Sequence, residues 1–470
     1  GEAIRLDREN AEAYAGRGAV FGTLGRYQEA LADHDAALGI DPEYRGVHHE
    51  RGQIFAAQGR YEEAVAELDE ALRVNPEDAN ALYGRGNAYY SVGQFAAALA
   101  DYDEATKLEE DFADALLSRG ITRMALEQYE GALADFERAI ELEPENHTAY
   151  LNRGEVYAAL GRSEEALTEY SAAIRHAPQD CTIYLRRANV YRTLDWLEDA
   201  LADYNEANYC DPQNAAVFDR RGETLYALGR EAEARADYDM AIGLDPMDHG
   251  VRVRRGRLRY AGEQFLEALI DFNAAVTICP EDGEIVLERG NAYAALGRLQ
   301  AALADFDRSI ELDPENVAAY FSRGAAKQKL ERYPEALADF DTVLRLEPEH
   351  AAAHFNRGTV YRSVNRNEEA LADFDRVIEI DPESANAHHM RGLVCEVLDD
   401  HAQAMASFDK ALRLDPEFTL ALYSRGNICL ALGRFPQALA DFDDVLRREP
   451  ENRTAYYRRG TVYNMLGRID

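Results

Sequence analysis

The stretch Val317–His350, VAAYFSRGAAKQKLERYPEALADFDTVLRLEPEH, decides the fold. Its first half is apolar or small at Ala319, Tyr320, Gly324 and Ala325. Its second half is apolar at Tyr333, Ala336, Leu337, Phe340, Val343 and Leu344, the three-and-four rhythm of one helix face. Between them, Leu-Glu-Arg here and Leu-Gly-Arg in other copies marks a short turn. Glycine stands there in eight of fourteen copies, as suits a residue that accepts left-handed φ. Pro348 punctuates the end, because it lacks an N–H and disfavours helix in the residue before it. The stretch reads as a helical hairpin.

The hairpin recurs. Prolines stand 34 residues apart at Pro42 and Pro76 and again from Pro144 to Pro450, with Glu110 alone breaking the series. An alanine keeps the same period thirteen times, from Ala30 to Ala438. Such a register has no explanation in one globular core; it means one supersecondary unit stacked on copies of itself. The expected fold is all-α, a solenoid of stacked antiparallel hairpins. Gly18 and Ala30 and their counterparts are small so that two helices can approach. Tyr102, Phe136, Tyr204, Phe306 and Phe442 fill the space between hairpins, as a core stripe rather than a cofactor box.

These residues resemble the tetratricopeptide repeat, which shares the 34-residue helix–turn–helix period. The resemblance covers essentially the whole chain and implies a right-handed superhelix with first helices lining a concave groove. Residues 1–10 read as the tail of a preceding second helix. Thirteen full copies follow: 11–44, 45–78, 79–112, 113–146, 147–180, 181–214, 215–248, 249–282, 283–316, 317–350, 351–384, 385–418 and 419–452. Residues 453–470 supply one further first helix and stop at LGRID, leaving uncapped ends open to self-association. One departure is general. Where the family has a large aliphatic residue before the glycine, this chain has arginine, as Arg-Gly thirteen times and as Arg187-Ala188 once. A half-buried arginine needs a partner. The second helix offers one at the position of Asp33, Asp101 and Asp305, acidic in twelve of thirteen copies, with Ser407 the exception. A repeated structural ion pair is expected.

The formal net charge of −36 conceals a segregation. The first thirteen residues of all fourteen copies hold 28 basic and 9 acidic residues, and everything else is strongly acidic. The acidic balance argues against wholesale nucleic-acid or membrane-surface binding. No apolar run reaches the length of a membrane span.

By the resemblance, ligand contacts fall on first-helix positions around each Arg-Gly pair. These include Tyr83, Asn87, Tyr90, Asn189, Arg192, Tyr226, Arg257, Tyr260, Asn291, Phe321 and Phe355. Rings give area and amides satisfy backbone groups, so an extended peptide or another protein is the expected partner. An alternative of another class uses the arginine-rich middle copies, where Arg186, Arg192, Arg220, Arg254 and Arg257 could take nucleic acid or another polyanion. A third reading is the regulatory arm of a larger enzyme. Within VRVRRGRLRY, Val251–Tyr260, Arg254 and Arg257 are the groove residues, whereas Arg252 and Arg259 occupy core positions and should find carboxylates or turn outward.

No catalytic or metal constellation is visible, and no cofactor is expected. The adjacent pairs His48-His49 and His388-His389 lack the i, i+4 spacing of a helical metal site. The five cysteines are odd in number and without CxxC spacing, which disfavours a disulfide framework and favours a reducing, cytoplasmic location. The chain begins at Gly1 rather than methionine, so the native N-terminus is expected to lie elsewhere.

Overall fold

A computed structural model describes residues 2–467. Gly1 and residues 468–470, the end of the expected truncated copy, lie outside the described residues. Among the described residues every regular element is an α-helix. The chain divides into two compact units, Gly1–Leu244 and Asp245–Asp470. The first contains the short helix Glu2–Leu6 and seven hairpins, from Ala11–Thr23 with Tyr27–Ile40 to Ala215–Ala227 with Glu231–Leu244. The second contains six hairpins, from His249–Ala261 with Phe265–Ile278 to Thr419–Ala431 with Phe435–Arg448, then Arg453–Met465.

Within each unit, the second helix of one hairpin packs on the first helix of the next. Successive first helices also touch, as Gly283–Ala295 touches Val317–Lys329, while successive second helices come together less. Each unit therefore bends toward its first-helix layer.

Helix starts are set by a position that periodicity alone does not reveal. The last residue of a copy is the N-cap of the next first helix. Asn316 accepts the Ala319 N–H at 2.9 Å, and Asp282, Ser384 and Asn452 act alike. Phe112 and Phe418 stand there without a side-chain cap and their helices still start in register, whereas after Tyr44 the second copy's first helix begins at Val47, on Gly46 with φ 90°.

Each of the thirteen turns within a hairpin, and the turn after Arg453–Met465, holds one residue at positive φ. Eight are glycine, and six are Glu127, Asp195, Glu263, Glu331, Asn365 and Asp399, at φ 57 to 63°. Gly262 stands one residue too early and keeps an ordinary φ of −81°, so Glu263 takes the strained place. Glu331→Gly should therefore raise stability by about 0.5–1 kcal/mol, and Asn365→Gly by less, since asparagine tolerates this region. Thermal melts of the single variants check this.

The core is a ladder of rings facing glycines. Tyr102, Phe136, Phe306, Phe340 and Phe442 are sealed from solvent. A Cβ added at Gly290 would lie 2.7 Å from Phe306 Cε1, so the first helix can approach only without one.

The recurrent arginine ties this ladder together. Arg323 Nε and Nη2 donate to Asp339 at 3.0 and 2.6 Å on the second helix of its own hairpin. Its Nη1 donates to Asp307 at 2.6 Å on the second helix before it. Arg85, Arg357 and Arg425 repeat the same three-helix bridge. The two aspartates of each Asp-Phe-Asp thus serve different arginines, one sixteen residues behind and one sixteen ahead. Arg391 faces Ser407, and there Ser407 Oγ and Gln403 Oε1 accept its protons at 2.8 and 2.7 Å while Asp375 takes Nε.

The irregular run Val251–Tyr260 resolves by the same register. Arg259 Nη1 donates to Asp271 at 2.8 Å, beside the Arg255 pair, as Lys327 does to Asp339. Arg252 takes no carboxylate among the described residues and makes its hydrogen bonds at the exposed surface. Its Nη2 donates at 3.0 Å to the carbonyl of Pro246. That is the task of Tyr150 on Pro144 and Tyr184 on Pro178, because the position lies over the turn carbonyl six residues back.

Candidate functional site

The first-helix face is where the sequence placed recognition, and the structure sorts its residues. In the first unit, Asn87 and Asn189 are already engaged. Their Oδ1 atoms accept the buried hydroxyls of Tyr102 and Tyr204 at 2.6 and 2.7 Å. Their amide oxygens are thus structural acceptors, and only the NH2 groups remain for a partner. Tyr83 is half-buried against Tyr102 and Phe112, with centroids at 6.1 and 5.1 Å, and Tyr90 packs on Phe95. Tyr226 is 45% exposed, because its copy has Glu231 where Phe95 and Phe265 stand in others.

Arg186, Arg192 and Arg257 are paired with carboxylates of neighbouring first helices, and Arg220 with one on its own helix. Arg186 Nε lies 3.0 Å from Glu155. Arg192 and Arg220 converge on Glu223 Oε2 at 2.7 and 3.0 Å. Arg257 binds Glu284 and Glu288 at 2.5 and 2.8 Å, and Arg254 is half-buried. A phosphate would have to displace these carboxylates.

In the second unit the structure gathers three expected residues. Tyr260, Asn291 and Phe321 line one cavity of about 210 Å³, with Phe306, Ser322, Ala325 and Lys329. Phe306 is sealed beneath, and Lys329 is exposed beside it. The depression exists because Ala294 and Ala325 are small where other copies carry Tyr90, Tyr226 or Arg257. Phe355 does not join it; its ring meets Phe374 edge-on at 5.6 Å.

The first unit has a cavity of about 300 Å³ that sequence reasoning missed, lined by Ala19, Gly22, His34, Glu50, Ile54 and Ala57 among others. His34 replaces the core ring of its copy and is sealed from solvent, with Nε2 2.9 Å from Glu50 Oε2. The available signal was again small residues, Ala19 and Gly22, at first-helix positions that are usually bulky.

His389 shares the register of Phe321 and Phe355 and is buried against Phe408 and Phe418, with Nε2 3.2 Å from Ser424 Oγ. Burial, with Arg362 adding to it, pushes its pKa down to about 4. The folded value lies below the unfolded one, so the unfolded chain takes up the proton first and stability falls as pH drops from about 6.5 toward 4. Between about pH 7 and pH 5 this group should cost on the order of 2 kcal/mol. His389→Phe should remove that component from a pH series of thermal melts; an unchanged pH profile would contradict it.

Among the described residues no three His, Cys, Asp or Glu side chains are placed to hold a metal ion. No helix there is long and apolar enough to cross a membrane.

A face of stacked first helices, bridged by arginine and dented where side chains are small, defines an α-solenoid of helical hairpins. A tetratricopeptide repeat model matches residues 117–180, 160–215, 220–283, 323–385, 356–418, 389–443 and 423–470. A second model, described as TPR repeat, matches 52–93, 86–126 and 290–331. The chain belongs to the tetratricopeptide repeat family, whose members generally mediate protein–protein interactions. No curated protein sequence matches significantly.

Solved structures with similarity to this chain include three that cover half or more of it. The Cut9–Hcn1 hetero-tetramer of the APC/C has 14% identity over 96% of this chain and 96% of that one, with a TM-score of 0.43. Yeast Tom70 has 17% identity over 89% and 95%, with a TM-score of 0.39. A tetratricopeptide repeat protein from Parabacteroides merdae has 21% identity over 53% and 98%, with a TM-score of 0.40.

Proposed function

We propose that this chain is a non-catalytic scaffold that grips an extended protein segment on its first-helix face, with each 34-residue copy from 11–44 to 419–452 as the unit of the array. The observation that carries the reading is the cavity of about 210 Å³ at Tyr260, Asn291 and Phe321. An apolar side chain of the partner enters beside Phe321 and Ala325. The Asn291 amide and Ser322 hydroxyl hydrogen-bond its backbone.

Peptides selected by display on the full chain test this. Ala325→Arg blocks the cavity with a residue that the fold already carries at the same register, as Arg257. It should weaken the selected peptides at least about tenfold, about 1.4 kcal/mol. Ile270→Arg, on an exposed second-helix position, should leave them unchanged. Equal binding by wild type and Ala325→Arg would remove the site from this cavity.

A further inference from the structure

Two of the five cysteines share one hairpin. Cys181 is the first residue of the helix Cys181–Thr193, and Cys210 is the last of its partner, Leu197–Cys210. In a periodic array, equivalent positions report the same geometry. Three periods on, the pair becomes Gly283 and Leu312, and a Cβ built on Gly283 would lie 3.3 Å from Leu312 Cβ. Disulfides need Cβ atoms about 3.5–4.5 Å apart, so the register brings this pair to bonding range within a few tenths of an ångström. The thiols also sense each other: burial first, then the Cys210 thiol, pushes Cys181 up to about 11. Both are half-buried rather than sealed, whereas Cys395 and Cys429 are buried and Cys279 lies in another copy.

We infer that Cys181 and Cys210 form a site of covalent modification, a dithiol that closes to an intrachain disulfide. The oxidant is a low-molecular-weight disulfide such as oxidised glutathione. One protein thiol loses its proton to solvent and attacks a sulfur of the oxidant, breaking its S–S bond and expelling one thiolate. The second protein thiolate attacks the mixed disulfide and expels the other. The balance is one protein dithiol oxidised and one small disulfide reduced to two thiols. Because the thiolate is the nucleophile, closure accelerates as pH rises above neutrality. The bond ties the start of the first helix to the end of the second. It therefore opposes local opening of the hairpin that presents Arg186, Asn189 and Arg192.

The test uses the full chain equilibrated in oxidised and reduced glutathione, quenched by alkylation and digested with trypsin without reduction. The expected product is the peptide His176–Arg186 joined to Thr193–Arg220. Hydrogen exchange across residues 181–210 should slow on oxidation of the wild type. Neither effect should appear in Cys181→Ser or Cys210→Ala, where the remaining cysteine carries only glutathione. Mixed glutathione disulfides at both positions of the wild type, or linkage only between separate chains, would overturn the assignment.

Discussion

Asp135→Ala should destabilise its hairpin by about 3–5 kcal/mol, the cost of removing one partner from a buried ion cluster. Asp135 is 2% exposed and accepts from two arginines. Arg119 Nη2 reaches Oδ1 at 2.6 Å, and Arg123 Nη1 reaches Oδ2 at 2.8 Å. The loss is not repaired locally. In the one copy without this carboxylate, Gln403 and Ser407 take over the Arg391 protons, but the residue matching Gln403 here is Gly131. What remains is Asp103 at 3.1 Å from each arginine, on the preceding second helix, and Thr106 beside Arg119. Long arrays depart from two-state unfolding, so the measurement is native-state hydrogen exchange across residues 113–142. Asp135→Asn keeps the shape and loses the charge. It should fall between wild type and alanine. A cost below about 1 kcal/mol for alanine, the range of exposed pairs, would mean that the arginine bridge contributes little.

Phe306→Ala should cost a similar amount, about 3–5 kcal/mol. The ring is wholly buried and is what the missing side chain of Gly290 makes room for. It also floors the cavity at Tyr260 and Asn291, so truncation merges the new void with an existing one and leaves little to collapse into it. Phe306→Leu should be much milder, because Leu68 holds the same position against Gly52 in the second copy. Hydrogen exchange of Gly283–Ala295 and Leu299–Leu312 reads both variants. Equal losses for alanine and leucine would point to the ring face itself rather than filled volume.

Much of this fold is legible in the sequence because the same few contacts recur. Proline and alanine on one period give the hairpin, and an acid sixteen residues after the arginine in twelve of thirteen copies gives half of the ion bridge. The other half is hidden. Asp307 serves Arg323 only through stacking of one hairpin on the next, so it looks like ordinary surface charge within its own copy. Asn87 and Asn189 read as free amides because their tyrosine partners lie on another helix. The candidate site was legible at Tyr260, Asn291 and Phe321 as residue types. The cavity between them was not, since it is made by side chains that are missing.

The division of labour between structural arginines and a recognising cavity is the central claim, and the salt dependence of binding tests it most directly. A peptide selected on the full chain should change its affinity by less than about threefold between about 50 and 200 mM salt, because the arginines are held by carboxylates and the cavity is mainly apolar. A fall of about a thousandfold over the same range is the signature of several phosphate-type contacts. That result would return the site to Arg186, Arg192, Arg220, Arg254 and Arg257 and contradict the account.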